Sequence, residues 1–231
     1  MLEKIIREND TYFLEVLDDR IIINDNYDGV LIFDLEMNFI KAINIFEDIV
    51  VYDSYVISNK QLILFCPENE KMVYINCEKN TSKVIDIDEE LSDIVDLRLF
   101  SMKDNICIFV LAQDKYIELN LKNEALKEVS NTSFKNGKEK IIDNAIMDKI
   151  GEIIDRDEDY IDIDVREKLF AISYEEKIVF YNGEVIKEIL PEEEFIFRKA
   201  KIRRCGDKNK LIVLSNNIED EEISTISILD I

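Results

Sequence analysis

Residues Arg20 to Ile43 read RIIINDNYDGVLIFDLEMNFIKAI, and this stretch decides the fold. Short apolar runs are split by polar turns around Asp25–Asp28 and Asp34–Asn38. Runs of this length between turn residues predict strand, turn, strand, turn, strand. The same pattern returns at Gln61–Ile85, Asn105–Val129, Lys168–Ile189 and Lys210–Ile231. The anchors Ile21, Leu62, Ile106, Leu169 and Leu211 stand 41, 44, 63 and 42 residues apart. The long interval predicts an insertion, residues 130–159, between the third and fourth units.

Each unit follows another β-like run: Tyr12–Leu17, Ile49–Ile57, Ile94–Phe100, Tyr160–Val165 and Phe197–Cys205. A four-stranded unit recurring at about forty residues is the mark of a propeller blade. Both faces of such a sheet are covered by neighbours, which suits runs such as Ile21–Ile23 and Leu62–Phe65. In repeat length and strand order the chain resembles the β-propeller superfamily. It carries no Trp, so the Trp-Asp blade signature is absent, and it shows no kelch or sialidase motif. The expected fold is all-β: a single domain over residues 1–231, a five-bladed β-propeller. The last unit ends on its third strand at Ile231, and Leu2–Arg7 is expected to supply the missing outer strand and close the ring. A two-sheet sandwich is the alternative. Within the insertion, Ile142, Ile146, Ile150 and Ile153 recur at helical spacing, so an amphipathic helix is expected near 138–155.

Composition excludes much chemistry. The 231 residues include no His, which removes Ser-His-Asp and Cys-His nucleophile systems and His-based zinc sites. Net charge is −22. Nucleic acid and anionic membrane are therefore poor partners, because binding either means neutralising phosphates with Lys and Arg. No apolar run approaches the ~18 residues of a membrane helix. Cys66, Cys77, Cys107 and Cys205 lack any CxxC spacing and read as reduced, mostly buried thiols of a cytoplasmic protein.

Propeller geometry sorts the charges. Loops joining strands two and three share an end of the sheets with the blade-to-blade connections. That end is expected to hold Asp25, Tyr27, Asp28, Glu68, Glu70, Asp114, Glu175, Glu176, Glu192, Glu193, Glu194, Glu219, Asp220, Glu221 and Glu222, opposed by Lys71, Lys115 and Lys177. Asp148 and Glu152 join them from the helical insertion. The opposite end mixes acids such as Asp18, Asp19 and Glu78 with bases such as Arg20, Lys60 and Lys210. A one-signed field steers an oppositely charged partner.

Asp155, Asp157, Asp159, Asp162 and Asp164 form the densest carboxylate cluster, read as a helix end running into a strand with alternate Asp residues facing water. An EF-hand would need Gly and Glu where Tyr160 and Arg166 stand. Glu15, Asp53, Asp96 and Asp162 on innermost strands could serve a carboxylate glycoside hydrolase or lyase, with Tyr12, Tyr52, Tyr55 and Tyr160 as sugar platforms. No cofactor and no metal is expected. The leading expectation is a non-enzymatic binding protein whose acidic end masks a basic protein partner, as an immunity or inhibitor protein masks a cationic toxin such as a nuclease. Scaffolding within a larger assembly is a further alternative.

Overall fold

The computed structural model describes residues 2–87, 97–102, 105–110, 115–120, 126–129, 144–154, 160–205 and 208–231. Among the described residues it is an all-β propeller architecture of four-stranded antiparallel sheets with one short α-helix. The chain falls into two compact units, residues 1–48 with 142–231, and residues 49–141.

The first unit opens with β1 (Leu2–Ile6), β2 (Leu14–Val16), β3 (Ile21–Asp25), β4 (Gly29–Phe33) and β5 (Phe39–Asn44). It continues with α1 (Asn144–Ile154), β14 (Asp162–Arg166), β15 (Leu169–Ser173), β16 (Ile178–Tyr181), β17 (Ile186–Ile189), β18 (Phe195–Cys205), β19 (Lys208–Asn217) and β20 (Ser224–Asp230). The second unit holds β6 (Asp53–Ser58), β7 (Gln61–Cys66), β8 (Lys71–Asn76) and β9 (Thr81–Asp86), then β10 (Leu97–Met102), β11 (Asn105–Val110), β12 (Lys115–Asn120) and β13 (Leu126–Val129). Sheets β2–β5, β6–β9, β10–β13 and β14–β17 are each one uninterrupted stretch, paired in sequence order. The chain thus carries four continuous blades, not five. A further sheet is composite, in the order β1-β20-β19-β18, and draws on both ends of the chain. As expected, the N-terminal segment supplies its outer strand, with Leu2 opposite Ile228 and Ile6 opposite Ser224.

Period-two alternation gives the composite sheet two apolar faces. One face, with Ile6, Ile212, Leu214, Ile226 and Ile228, packs on Leu14, Val16, Ile21 and Ile23 of the first sheet. The other, with Leu211, Val213 and Ile202, packs on Ala171, Ile178 and Phe180 of the β14–β17 sheet. Phe33, Phe65, Phe170 and Phe180 are core residues as expected, while Phe109 has its side chain outside the described residues. Gly29 opens β4 because a Cβ there would sit 2.1 Å from the Ile43 carbonyl oxygen across the β4–β5 pair.

The helix matches its expected spacing. Ile146 and Ile150 are buried against Phe170, Ile172, Tyr174 and Val179, with Ile153 packed beside them. Ile142 and residues 155–159 lie outside the described residues. Cys66 and Cys77 are buried and form no disulfide, and burial pushes the Cys66 thiol up to about 12. Among the described residues no helix is long and apolar enough to cross a membrane.

Candidate functional site

Backbone hydrogen bonds tie the two-to-three loops to the connections between sheets. In the first unit they form a continuous track. The Glu175 carbonyl accepts from Phe197 N at 2.9 Å, and the Glu194 carbonyl from Ile218 N at 2.8 Å. The Glu222 carbonyl accepts from Asn9 N at 3.4 Å. Tyr27 Oη then donates to Asp10 Oδ2 at 2.6 Å. Loops from three sheets therefore meet at one end of this unit. The end brings together Asp25, Tyr27, Asp28, Glu175, Glu176, Glu192, Glu193, Glu194, Glu219, Asp220, Glu221 and Glu222. All but the half-buried Asp25 are exposed.

The electrostatics at this end are those of crowded acids. Burial, and then the charge of Asp28, push the Asp25 carboxyl above its ordinary value. Tyr27 is pushed up to about 12, first by its hydrogen bond to Asp10, with burial and the charges of Asp10 and Glu221 adding to it. Cations at this end are already engaged: Arg198 lies 3.4 Å from Glu175, Lys177 over the Tyr174 ring, and Lys199 over the Phe13 ring. Tyr27 stacks on Tyr12 with ring centroids 5.7 Å apart and stays 42% exposed.

Short turns shape the loops. Asn217 Oδ1 accepts from Glu219 N and Asp220 N, so the Glu219–Glu222 side chains fan outward from a tight turn. Glu194 takes a left-handed backbone with φ 69°, where a side chain costs about 1 kcal/mol or more relative to glycine. Buried asparagines hold the incoming connection. Asn24 Oδ1 accepts from Tyr12 N and Phe13 N, its amide donates to the Asp10 carbonyl, and Asn216 donates to the Thr11 carbonyl. Neither is among the residues expected above, although Asn in the middle of an apolar strand signals a polar duty.

In the second unit, exposed Glu68 and Glu70 occupy the β7–β8 turn, and the Glu70 carbonyl accepts from Ile87 N. Asp114 lies outside the described residues. On α1, Asp148 and Glu152 are exposed, opposite the buried isoleucines, and Glu152 pairs with Lys149 at 2.7 Å.

The innermost strands of the first unit carry a different group of acids. β14 packs beside β18, and β18 beside β2. Arg203 Nη2 donates to Glu15 Oε1 at 2.6 Å, and its Nε donates to the Val16 carbonyl. Arg203 Nη1 lies 3.5 Å from Asp164 Oδ2, which accepts from Ile202 N at 2.7 Å. Lys201 Nζ reaches Asp162 Oδ2 at 3.3 Å, within ion-pair range but without hydrogen-bond alignment. The expectation that alternate Asp residues here face water is wrong for Asp162 and Asp164. Both point to one side of β14 and are largely buried because Lys201 and Arg203 on the neighbouring strand supply opposite charge. Asp53 is exposed in the second unit, and Asp96 lies outside the described residues. Tyr52 and Tyr160 are exposed, and Tyr55 is half-buried. Among the described residues no cluster of three or more acids or thiols is arranged to hold a metal.

No protein-family model matches the chain, and no curated protein matches it. Solved structures do. A member of the DUF4221 family from Bacteroides vulgatus is 12% identical, over all of this chain and 97% of that one, at a TM-score of 0.53. The Cps50 (Swd1) β-propeller domain of Myceliophteria thermophila is 9% identical over 98% of both chains, at 0.47. Virginiamycin B lyase from Staphylococcus aureus is 9% identical over 99% of this chain and 74% of its own, at 0.42. At these identities the likeness is one of fold alone.

Proposed function

We propose that this chain is a non-enzymatic binding module that captures a basic protein partner on the acidic loop end of its first unit. The observation that carries the proposal is the convergence of Asp25, Asp28, Glu175, Glu176, Glu192–Glu194 and Glu219–Glu222 on one end, where Arg198 pairs with Glu175 while Lys177 and Lys199 lie over aromatic rings. Like charges gathered this way repel one another, a cost that an oppositely charged partner removes. Tyr27, exposed among them, supplies an aromatic anchor of the kind that dominates interfaces. The concrete form is an inhibitor or immunity-type protein that covers the cationic cleft of a toxin such as a nuclease, whose cleft must itself attract phosphates.

The enzyme alternative loses support at Glu15, Asp162 and Asp164. General acid-base work needs carboxylates that can exchange protons with a substrate, and these contact Arg203 and Lys201 in the interior. The test uses the full chain as bait in extract of its host, at low and high salt. The expected catch is a basic protein released by salt and lost with Glu219→Lys, Glu221→Lys and Glu222→Lys combined. Capture that ignores both salt and the triple substitution contradicts the proposal.

A further inference from the structure

The two faces of the composite sheet are covered unequally. On the β14–β17 side, β16 and β17 are four residues each, whereas β19 has ten and β20 seven. The longer sheet overhangs the shorter one. The overhang leaves a groove with about 470 Å³ of open space, walled by Ile189, Leu190, Pro191 and Phe195. Its floor is one face of the sheet in register. Phe197, Ser215 and Thr225 form one row, and Val213, Ser227 and Glu3 the next. Glu192 joins Glu3 among the lining residues, and Leu190 stands 72% exposed.

The lining is chemically divided. Apolar walls alone would suit any apolar group. The three floor hydroxyls would then be left without compensation when such a group excluded water, and the exposed carboxylates of Glu3 and Glu192 would go unused. An anion would meet Glu3, Glu192 and the acidic end to which Glu192 belongs. A long cationic side chain meets both halves: its methylene stem covers apolar surface while its head reaches a carboxylate. We propose that this groove receives a lysine or arginine side chain of the basic partner. The inference rests on the binding role above and adds where the partner is anchored.

The test titrates hexalysine into the full chain and follows the methyl resonances of Ile189, Leu190 and Val213, with hexaglutamate and n-pentanol as controls. Saturable shifts of these methyls with hexalysine alone are expected. They should weaken about tenfold or more in Ser227→Phe, which fills the floor, and in Leu190→Ser, which removes a wall and leaves the sheet intact. The Glu219→Lys, Glu221→Lys, Glu222→Lys variant should keep the groove shifts while losing affinity overall. Hexalysine binding that leaves the groove methyls unmoved overturns this inference and leaves the acidic-end reading standing. Equal shifts with n-pentanol overturn the choice of a cation. No binding of hexalysine at all counts against both.

Discussion

In the first sheet, the turn from β3 to β4 and the turn from β4 to β5 treat aspartate in opposite ways. At the first, burial and the charge of Asp28 push the Asp25 carboxyl up. At the second, Asn38 donates to Asp34 through its side chain and its backbone, and pulls that carboxyl down. The second unit repeats the favourable case: Glu78, after β8, is pulled down by Lys60, whose Nζ lies 2.6 Å away. Innermost strands add a third solution, with Glu15, Asp162 and Asp164 paired to Arg203 and Lys201 away from water. At these three places the carboxylates are met by donors. At the β3–β4 end the chain packs acids against acids. The proposed binding role accounts for that difference, because self-repulsion there contributes nothing to folding.

Substitutions can break that contrast. The largest effect is expected from Arg203→Met, which leaves Glu15 buried without its guanidinium and should cost about 3–5 kcal/mol in chemical denaturation. A result below 1 kcal/mol would mean that the inner acids are as indifferent to pairing as surface ones. Next comes Asp164→Asn, which keeps an acceptor for Ile202 N but loses the charge opposite Arg203 and Lys201, at about 1–3 kcal/mol. At the acidic end the sign changes. Combined Glu219→Lys, Glu221→Lys and Glu222→Lys should leave stability within about 0.5 kcal/mol or raise it slightly, since these side chains are exposed and mutually repelled. Clear destabilisation would show that these acids are structural.

The smallest effect is a pH dependence at Tyr27. Its folded value near 12 lies above the ordinary 10, so its contribution is complete below pH 10 and is lost as pH rises through 12. Tyr27→Phe should flatten that part of the alkaline stability profile and remove a late-titrating component from the tyrosine ultraviolet absorption.

Much of this was legible in the residues. Strand phase came from period-two runs, and Ile146 and Ile150 announced the buried stripe of α1. The polar turns at Asp25–Asp28 and Glu219–Glu222 placed the acids at one end because loop position follows from strand order alone. Side-chain partnership did not follow. Arg203 lies 188 residues from Glu15, and period-two patterning carries no information about which inner strands touch. Asn24 and Asn216 looked like interruptions of apolar strands, yet they hold the segment that leads into β2. The groove was illegible for a different reason. It arises from a mismatch in length between β17 and β19, and strand ends are the least determined part of a sequence pattern.

The most direct test of the acidic end is the association rate with the captured partner across ionic strength. For the wild-type chain the rate should fall steeply with salt. With Glu219→Lys, Glu221→Lys and Glu222→Lys it should drop by about 10–10³-fold at low salt and lose most of that dependence. Equal rates and equal salt slopes in the two proteins would contradict the account.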